Sequence, residues 1–372
     1  MRLLRILTAS VGGASLLVSL TLASVLSACG SAAVDTPAAA PVDPRLFQEA
    51  SARVAVHVKT IEEIQQSERD SVATVLKGYS DDGFSASLPK LDPEGNLSFP
   101  GLSEATDRNG AVKVLTDLFG AFSGRAFTLG RLWQAAQPAH AVIVEWTMAG
   151  VQAREWMAVP PTQKPVSIRG LGLFWFDENG LVSDTHLYFD VGATLAQLGA
   201  APKGIEVPTF APPPAMVVTA THSDTETQDV ATVNASWDAF EAKKEVGYLA
   251  PLADDIEVFR LDRTSPERGK AERKKFFKWA ASGIGSLQQT PLNAWGIGAY
   301  VVEEYSLTGV HSGKLTDAPA SGHALRLHYV DIDELKDGKI VRTWTFGNSL
   351  ELYAETGVVE RAAPGASTAV LK

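Results

Sequence analysis

The stretch LVSDTHLYFD sets Asp184, His186, Tyr188 and Asp190 at alternate positions, and KIVRTWTFGN does the same with Arg342, Trp344, Phe346 and Asn348. Residues two apart on a strand share a face, so each set lines one side of its sheet. The first set joins carboxyls, an imidazole and a phenol, the types that move protons. A carboxyl starts at about pKa 3.9, and desolvation in an apolar pocket moves it towards the range of a general base, a service typically worth about 10² to 10⁴ in rate. Asn348 has the shape of that carboxyl without its basicity, so it can orient a carbonyl and no more. Each residue has a plainer reading beside this one: Asp190 as a strand-end cap, His186 as a wall residue, and Trp344 and Phe346 as core.

Other chemistry is thinly represented. His323 and His328 are five apart, which puts them on opposite faces of a strand, and no metal site is indicated. GIG at Gly283 and at Gly296 lacks the third glycine and preceding strand of a nucleotide fingerprint, and no Gly-x-Ser-x-Gly occurs, so no cofactor is expected. A net charge of -10 argues against a nucleic-acid partner.

The elements that position these residues come in two copies. A chain of 372 residues suits two cores better than one. WTMAGV at Trp146 returns as YSLTGV at Tyr305 after 159 positions, Gly110 returns as Gly269 after 159, and Asp190 returns as Asn348 after 158. Asp81 and Asp82 match Asp254 and Asp255 after 173, which implies a loop about 14 residues longer in the first copy, around LPKLDPEGNLSFPG. A repeat of this length is a duplicated domain. Each copy begins with helical spacing, FQEASARVAVHVKTIEEIQQ or VATVNASWDAFEAKK, followed by a helix from Gly110 or Gly269. The strands AVIVEWTMAG, VSIRGLGLFWF and LVSDTHLYFD follow, and in the second copy YVVEEYSLTG, LRLHYVDIDEL and KIVRTWTFGN. Helices followed by antiparallel strands predict an α+β fold with the helices on one face of a curved sheet.

Residues 68–199, through Pro161–Val166, Arg169-Gly170, the Gly180 turn, Asp190 and the closing Gln197-Leu198-Gly199, resemble SnoaL-like polyketide cyclases of the nuclear-transport-factor-2-like superfamily. Residues 231–357 resemble them through GVHSGKL at Gly309 and DGKIV at Asp337. The first copy departs from the family hairpin, reading Val151-Gln152-Ala153-Arg154 where the second keeps His311 and Gly313. The resemblance implies two tandem cones, each a curved antiparallel sheet wrapped around helices and holding an apolar pocket. It makes Asp190 the general acid/base of the first cone, with His186 beside it. It makes Trp146, Tyr188, Tyr305, Trp344, Phe346 and Asn348 pocket residues. It also implies that the domains pair within the chain through their open sheet faces.

MRLLR followed by an apolar run ending in Leu26-Ser27-Ala28-Cys29 reads as a secretory signal, and LSAC before Gly30 resembles a bacterial lipobox. Cys29, the only cysteine, would carry the lipid that holds the protein to a membrane of the cell envelope, with Gly30 pointing to the outer membrane in a Gram-negative host. The expected organisation is signal 1–29, Ala/Pro-rich tether 30–44, first domain 45–200, Pro-rich linker 201–228, second domain 229–358 and tail 359–372. The basic run RGKAERKKFFKW reads as the outer face of an amphipathic helix. Three functions stay open: a lipoprotein that binds a small apolar molecule, a proton-transfer enzyme acting on a carbonyl substrate, and an envelope scaffold.

Overall fold

The long helix of each copy opens on a reciprocal cap. In the computed structural model, Thr60 and Glu63 start α1 (Ile61–Gly78), and Ser223 and Glu226 start α4 (Asp224–Glu241), each pair satisfying two otherwise orphan backbone N–H groups. The structure describes residues 60–359 apart from 81–83, 85, 136–138, 209–211 and 317. The signal, Cys29, the tether, the start of the first domain at 45–59 and all but Val359 of the tail lie outside those residues. The first copy continues with β1 (Leu91–Phe99), β2 (Ser103–Ala105), α2 (Arg108–Phe119), β3 (Phe122–Gln134), β4 (Ala141–Gln152), β5 (Pro165–Phe176), β6 (Val182–Phe189) and α3 (Val191–Leu198). After β7 (Met216–Thr219) and α4, the second has α5 (Glu245–Leu249), β8 (Leu252–Arg260), β9 (Glu267–Arg268), α6 (Lys270–Gly283), β10 (Ile284–Ile297), β11 (Tyr300–His311), β12 (Ala324–Lys336), β13 (Lys339–Gly347) and α7 (Ser349–Glu355).

The strands form two sheets, ordered β2-β1-β6-β5-β4-β3-β7 and β10-β11-β12-β13-β8-β9. The long strands are antiparallel neighbours, while β1 lies parallel to β6 and β8 parallel to β13. Leu91 faces Val182 as Leu252 faces Ile340, so β1 is the counterpart of β8. This corrects the match of Asp81-Asp82 to Asp254-Asp255: the latter lie in β8, and LPKLDPEGNLSFPG is largely strand rather than an inserted loop. Two adjacent aspartates are too short a signal to fix a register. The linker is partly ordered as well, with β7 parallel to β3 and Glu206 accepting from Thr264 N and Oγ1 at 2.8 and 2.7 Å.

The central strands of each sheet are buried on both faces. One face closes over its own helices; the other meets the opposite sheet. Trp133, Ile143, Leu171, Leu173 and Tyr188 of the first copy share one buried cluster with Ile297, Val302, Val330, Ile332 and Phe346 of the second. On α6 the lysines stay outside, Lys274 pairing with Glu245 at 2.6 Å and Lys275 with Glu272 at 2.6 Å, while Phe277 and Ala280 are buried.

Candidate functional site

The inward face of the second sheet is polar where a core would be apolar. β11 presents Val301, Glu303, Tyr305 and Leu307, and β12 presents Leu325, Leu327, Tyr329, Asp331 and Asp333, all in alternation. Most of this face borders a cavity of about 540 Å³, walled by Trp237, Phe240, Phe276, Trp279, Leu327 and Tyr329. A cavity of this size and make-up holds a small organic molecule.

Tyr305 donates its hydroxyl to Asp331 Oδ2 at 2.8 Å, while Asp331 Oδ1 finds no hydrogen-bond partner among the described residues. Burial raises the pKa of Asp331; the Thr345 and Tyr305 hydroxyls and the Arg273 and Arg260 guanidiniums draw it back without offsetting burial. Behind it, burial and then the Asp331 carboxylate push Glu303 up to about 7, and the same two causes hold Asp333 well above the carboxylate range. Thr343 donates to Asp333 Oδ1 at 2.5 Å. Asp331 is thus a carboxyl held above its ordinary range that borders open space.

The cavity's arginines are already engaged. Arg260 makes a bidentate pair with Asp262 at 2.9 and 2.9 Å. Arg273 donates to Tyr248 Oη at 2.6 Å and to Glu267 at 3.1 Å, and stacks on Phe276 at 4.3 Å.

Asp184, His186 and Tyr188 do share a face, but it is the one turned to the opposite sheet. His186 Nδ1 lies 2.6 Å from Glu304 Oε1, and Tyr188 donates to the same oxygen at 2.7 Å. Burial opposes charge on His186, yet Glu304 outweighs it and raises the pKa; Glu304 itself is lowered, because the bonds from His186, Tyr188 and Asn293 outweigh its burial. Trp344 and Phe346 likewise leave their cone: Arg131 lies 3.8 Å over Trp344, and Phe346 joins the cluster between the sheets. Alternation fixes which residues travel together; with both faces buried, it does not say which face is inside.

Trp146 points into the first cone and fills it. Its contacts with Phe119, Phe127 and Phe189, and theirs with Phe99, run from 5.3 to 6.3 Å between ring centroids. Tyr305 is the counterpart that borders open space. Asp190 and Asn348 cap α3 and α7, through Ala193 N at 3.0 Å and Leu350 N at 3.2 Å, and each also bonds across the pair: Ser349 Oγ donates to Asp190 Oδ1 at 2.7 Å and Val191 N to Asn348 Oδ1 at 3.2 Å. Asp190 borders the second cone's cavity rather than a pocket in its own, and burial followed by the Asp262 carboxylate pushes it up to about 7. Sequence reasoning passed over Asp331, Glu303, Arg260 and Arg273. The signal was present for the acids, since LRLHYVDIDEL places Asp331 and Asp333 on the face of Leu325, Leu327 and Leu335, where a packed core would have only apolar residues.

Residues 232–356, roughly a third of the chain, match the SnoaL-like polyketide cyclase family. No curated protein matches the sequence. Among solved structures, a protein of Jannaschia sp. CCS1 assigned as a SnoaL-like polyketide cyclase is similar at 21% identity over 37% of this chain and 96% of its own, with a TM-score of 0.35. TsrD of Streptomyces laurentii is similar at 19% identity over 37% and 98%, with a TM-score of 0.32. An LEH-like epoxide hydrolase of M. tuberculosis is similar at 15% over 35% and 90%, with a TM-score of 0.30. The match to the SnoaL-like polyketide cyclase family thus falls on the second copy, and the first repeats that copy's strand order.

Proposed function

We propose that this protein binds a small, largely apolar molecule in its second cone, while the first cone serves as a packed copy that supports it. The observation that carries this reading is the cavity of about 540 Å³ beside a first cone filled by Trp146 and its neighbouring rings. Aromatic walls supply the body of the site, and Asp331 with Tyr305 supplies its polar end. Following the lipobox at Leu26–Cys29, the protein works from the cell envelope on a lipid anchor; incorporation of radiolabelled palmitate that is lost in Cys29→Ser tests that part. For the site, titration with 1-anilinonaphthalene-8-sulfonate, whose fluorescence rises in apolar surroundings, is expected to saturate. Leu327→Trp, which fills the cavity from β12, is expected to abolish that binding while the fold, followed by circular dichroism, is kept. Binding that ignores Leu327→Trp sinks the reading.

A second reading, proton transfer on a carbonyl substrate, is favoured by one observation: Asp331, held by the Tyr305 hydroxyl at Oδ2, has an Oδ1 without a hydrogen-bond partner among the described residues. Asp190, the general acid/base candidate of the sequence, borders the same cavity. If the protein turns its ligand over, Asp331→Asn lowers the rate by about 10² to 10⁴ with little change in binding. Unchanged turnover in that variant rules Asp331 out as the proton carrier.

A further inference from the structure

The first domain reaches into the cavity of the second through one side chain. Asp190 ends β6 and caps α3, and its carboxyl borders the cavity where β13 runs into α7, next to Asp262, Gly347 and Ser349. It is 4% exposed, and both domains hold it: Ala193 N of its own helix and Ser349 Oγ of the other both donate to Oδ1. Asn348, its counterpart, accepts from Val191 N and Leu350 N, and it is not among the residues that border the cavity. The crossing of the two caps therefore sends a carboxyl one way and no charge the other.

The charges around that carboxyl narrow what it can receive. Arg260 is committed to Asp262 through Nε and Nη2, Arg273 to Glu267 and Tyr248, Arg263 to Asp262 at 3.5 Å, and Lys275 to Glu272 at 2.6 Å. Among the described residues no guanidinium or ammonium forms an ion pair with Asp190. An anionic ligand would find the cavity's cations occupied and a buried carboxyl facing it. A ligand with a hydroxyl or amine would find an acceptor fixed from two sides.

We propose that the ligand site is composite: the first domain completes the second domain's cavity with the Asp190 carboxyl, which selects a molecule with an apolar ring body and a hydrogen-bond-donating or cationic end. This rests on the reading of the second cone as a ligand site. The two copies then act as one binding unit, and loss of an open cone in the first copy leaves it a role at the site.

The test compares two probes with one ring skeleton, uncharged N-phenyl-1-naphthylamine and the sulfonated 1-anilinonaphthalene-8-sulfonate, titrated at pH 8 into the full chain and its Asp190→Asn and Leu327→Trp variants. Asparagine keeps the capping oxygen, as Asn348 shows at the equivalent place, so the fold is expected to hold. The wild type should favour the uncharged probe about tenfold or more beyond the preference left in Asp190→Asn, since a buried unit charge is worth at least one decade in affinity at contact range. An unchanged preference in Asp190→Asn, with both probes lost in Leu327→Trp, overturns the composite site and leaves the cavity reading standing. Probes that fail to bind, or that ignore Leu327→Trp, overturn the cavity reading and the composite site with it.

Discussion

The two cones are built on one register and filled in opposite ways. Trp146 lies opposite Gly170 as Tyr305 lies opposite Tyr329, and Val144 lies opposite Gly172 as Glu303 lies opposite Asp331. Phe174 stands where the second copy has Asp333. A side chain on Gly170 would put its Cβ 2.2 Å from the Trp146 ring, so the glycine is what lets the indole lie flat across the sheet. Exchanging these few pairs turns a ligand-sized cavity into a ring-packed core while the backbone topology stays the same. The second cone gives up stability for polar groups in an open interior, a trade common at functional sites.

The sharpest way to break the comparison is to empty the first cone. Trp146 is fully buried among Phe119, Phe127 and Phe189, so Trp146→Ala removes its burial and leaves a hole that the rings cannot close. The expected loss is about 3–5 kcal/mol, read from urea denaturation. A loss below about 1 kcal/mol would mean that the first cone is not the rigid core its packing describes.

Next in size is the acid cluster that the first cone lacks. Glu303 is 1% exposed, and its pKa is pushed up to about 7 by burial and the Asp331 carboxylate. A raised folded value means that the protonated form is the stable one in the fold. Its contribution is complete below the unfolded value and fades as the pH rises through 7. Glu303→Gln keeps the shape and cannot ionise, so it should match the wild type near pH 4 and exceed it by roughly 3 kcal/mol by pH 8.5. Parallel stability curves for the two proteins across that range would show that Glu303 is not held as an acid. No counterpart of this effect is available in the first cone, where Val144 occupies the position.

How much of this the sequence discloses depends on the interaction in question. Six of the long strands could be read directly, because an apolar run of ten residues bounded by turns has few alternatives. β3 and β10 were missed: their exposed polar residues, such as Ser123, Thr128, Gln288 and Thr290, hide the alternation. β1 was masked by Pro93 and Gly95, which read as loop although they sit near an edge of the sheet. The shared face of His186 and Tyr188 followed from local periodicity, whereas its partner Glu304 is 116 to 118 residues away. That distance is why a pocket assignment went to the wrong side of the sheet. Asp190 shows the same limit, since its capping role is local and its access to the second cavity depends on how the copies cross.

The smallest expected effect tests the seam between the sheets, where the copies again differ at one position. Glu145 and Glu304 are counterparts, both fully buried on the outer face of their strands. Glu145 is met by Arg131 at 2.7 Å and by Arg169, both from its own sheet, and these guanidiniums in turn cover Trp344 and Phe346. Glu304 instead takes His186 and Tyr188 from the other copy. Only the second arrangement contains an imidazole, the side chain whose ordinary value lies near neutrality. His186 is raised, so its share of the pairing is complete below the unfolded histidine value and is lost as the pH climbs through the folded one. Glu304 is lowered, so its share is present above the unfolded glutamate value and fades only as the pH falls through the folded one. The pair is therefore whole in mildly acidic solution. His186→Gln, which keeps a donor but no charge, should cost about 1–3 kcal/mol at pH 6 and distinctly less at pH 9, with Tyr188 and Asn293 still bonded to the carboxylate. An equal cost at both pH values would mean that His186 holds the seam as a neutral hydrogen-bond donor, and that the two buried glutamates differ in partner but not in kind.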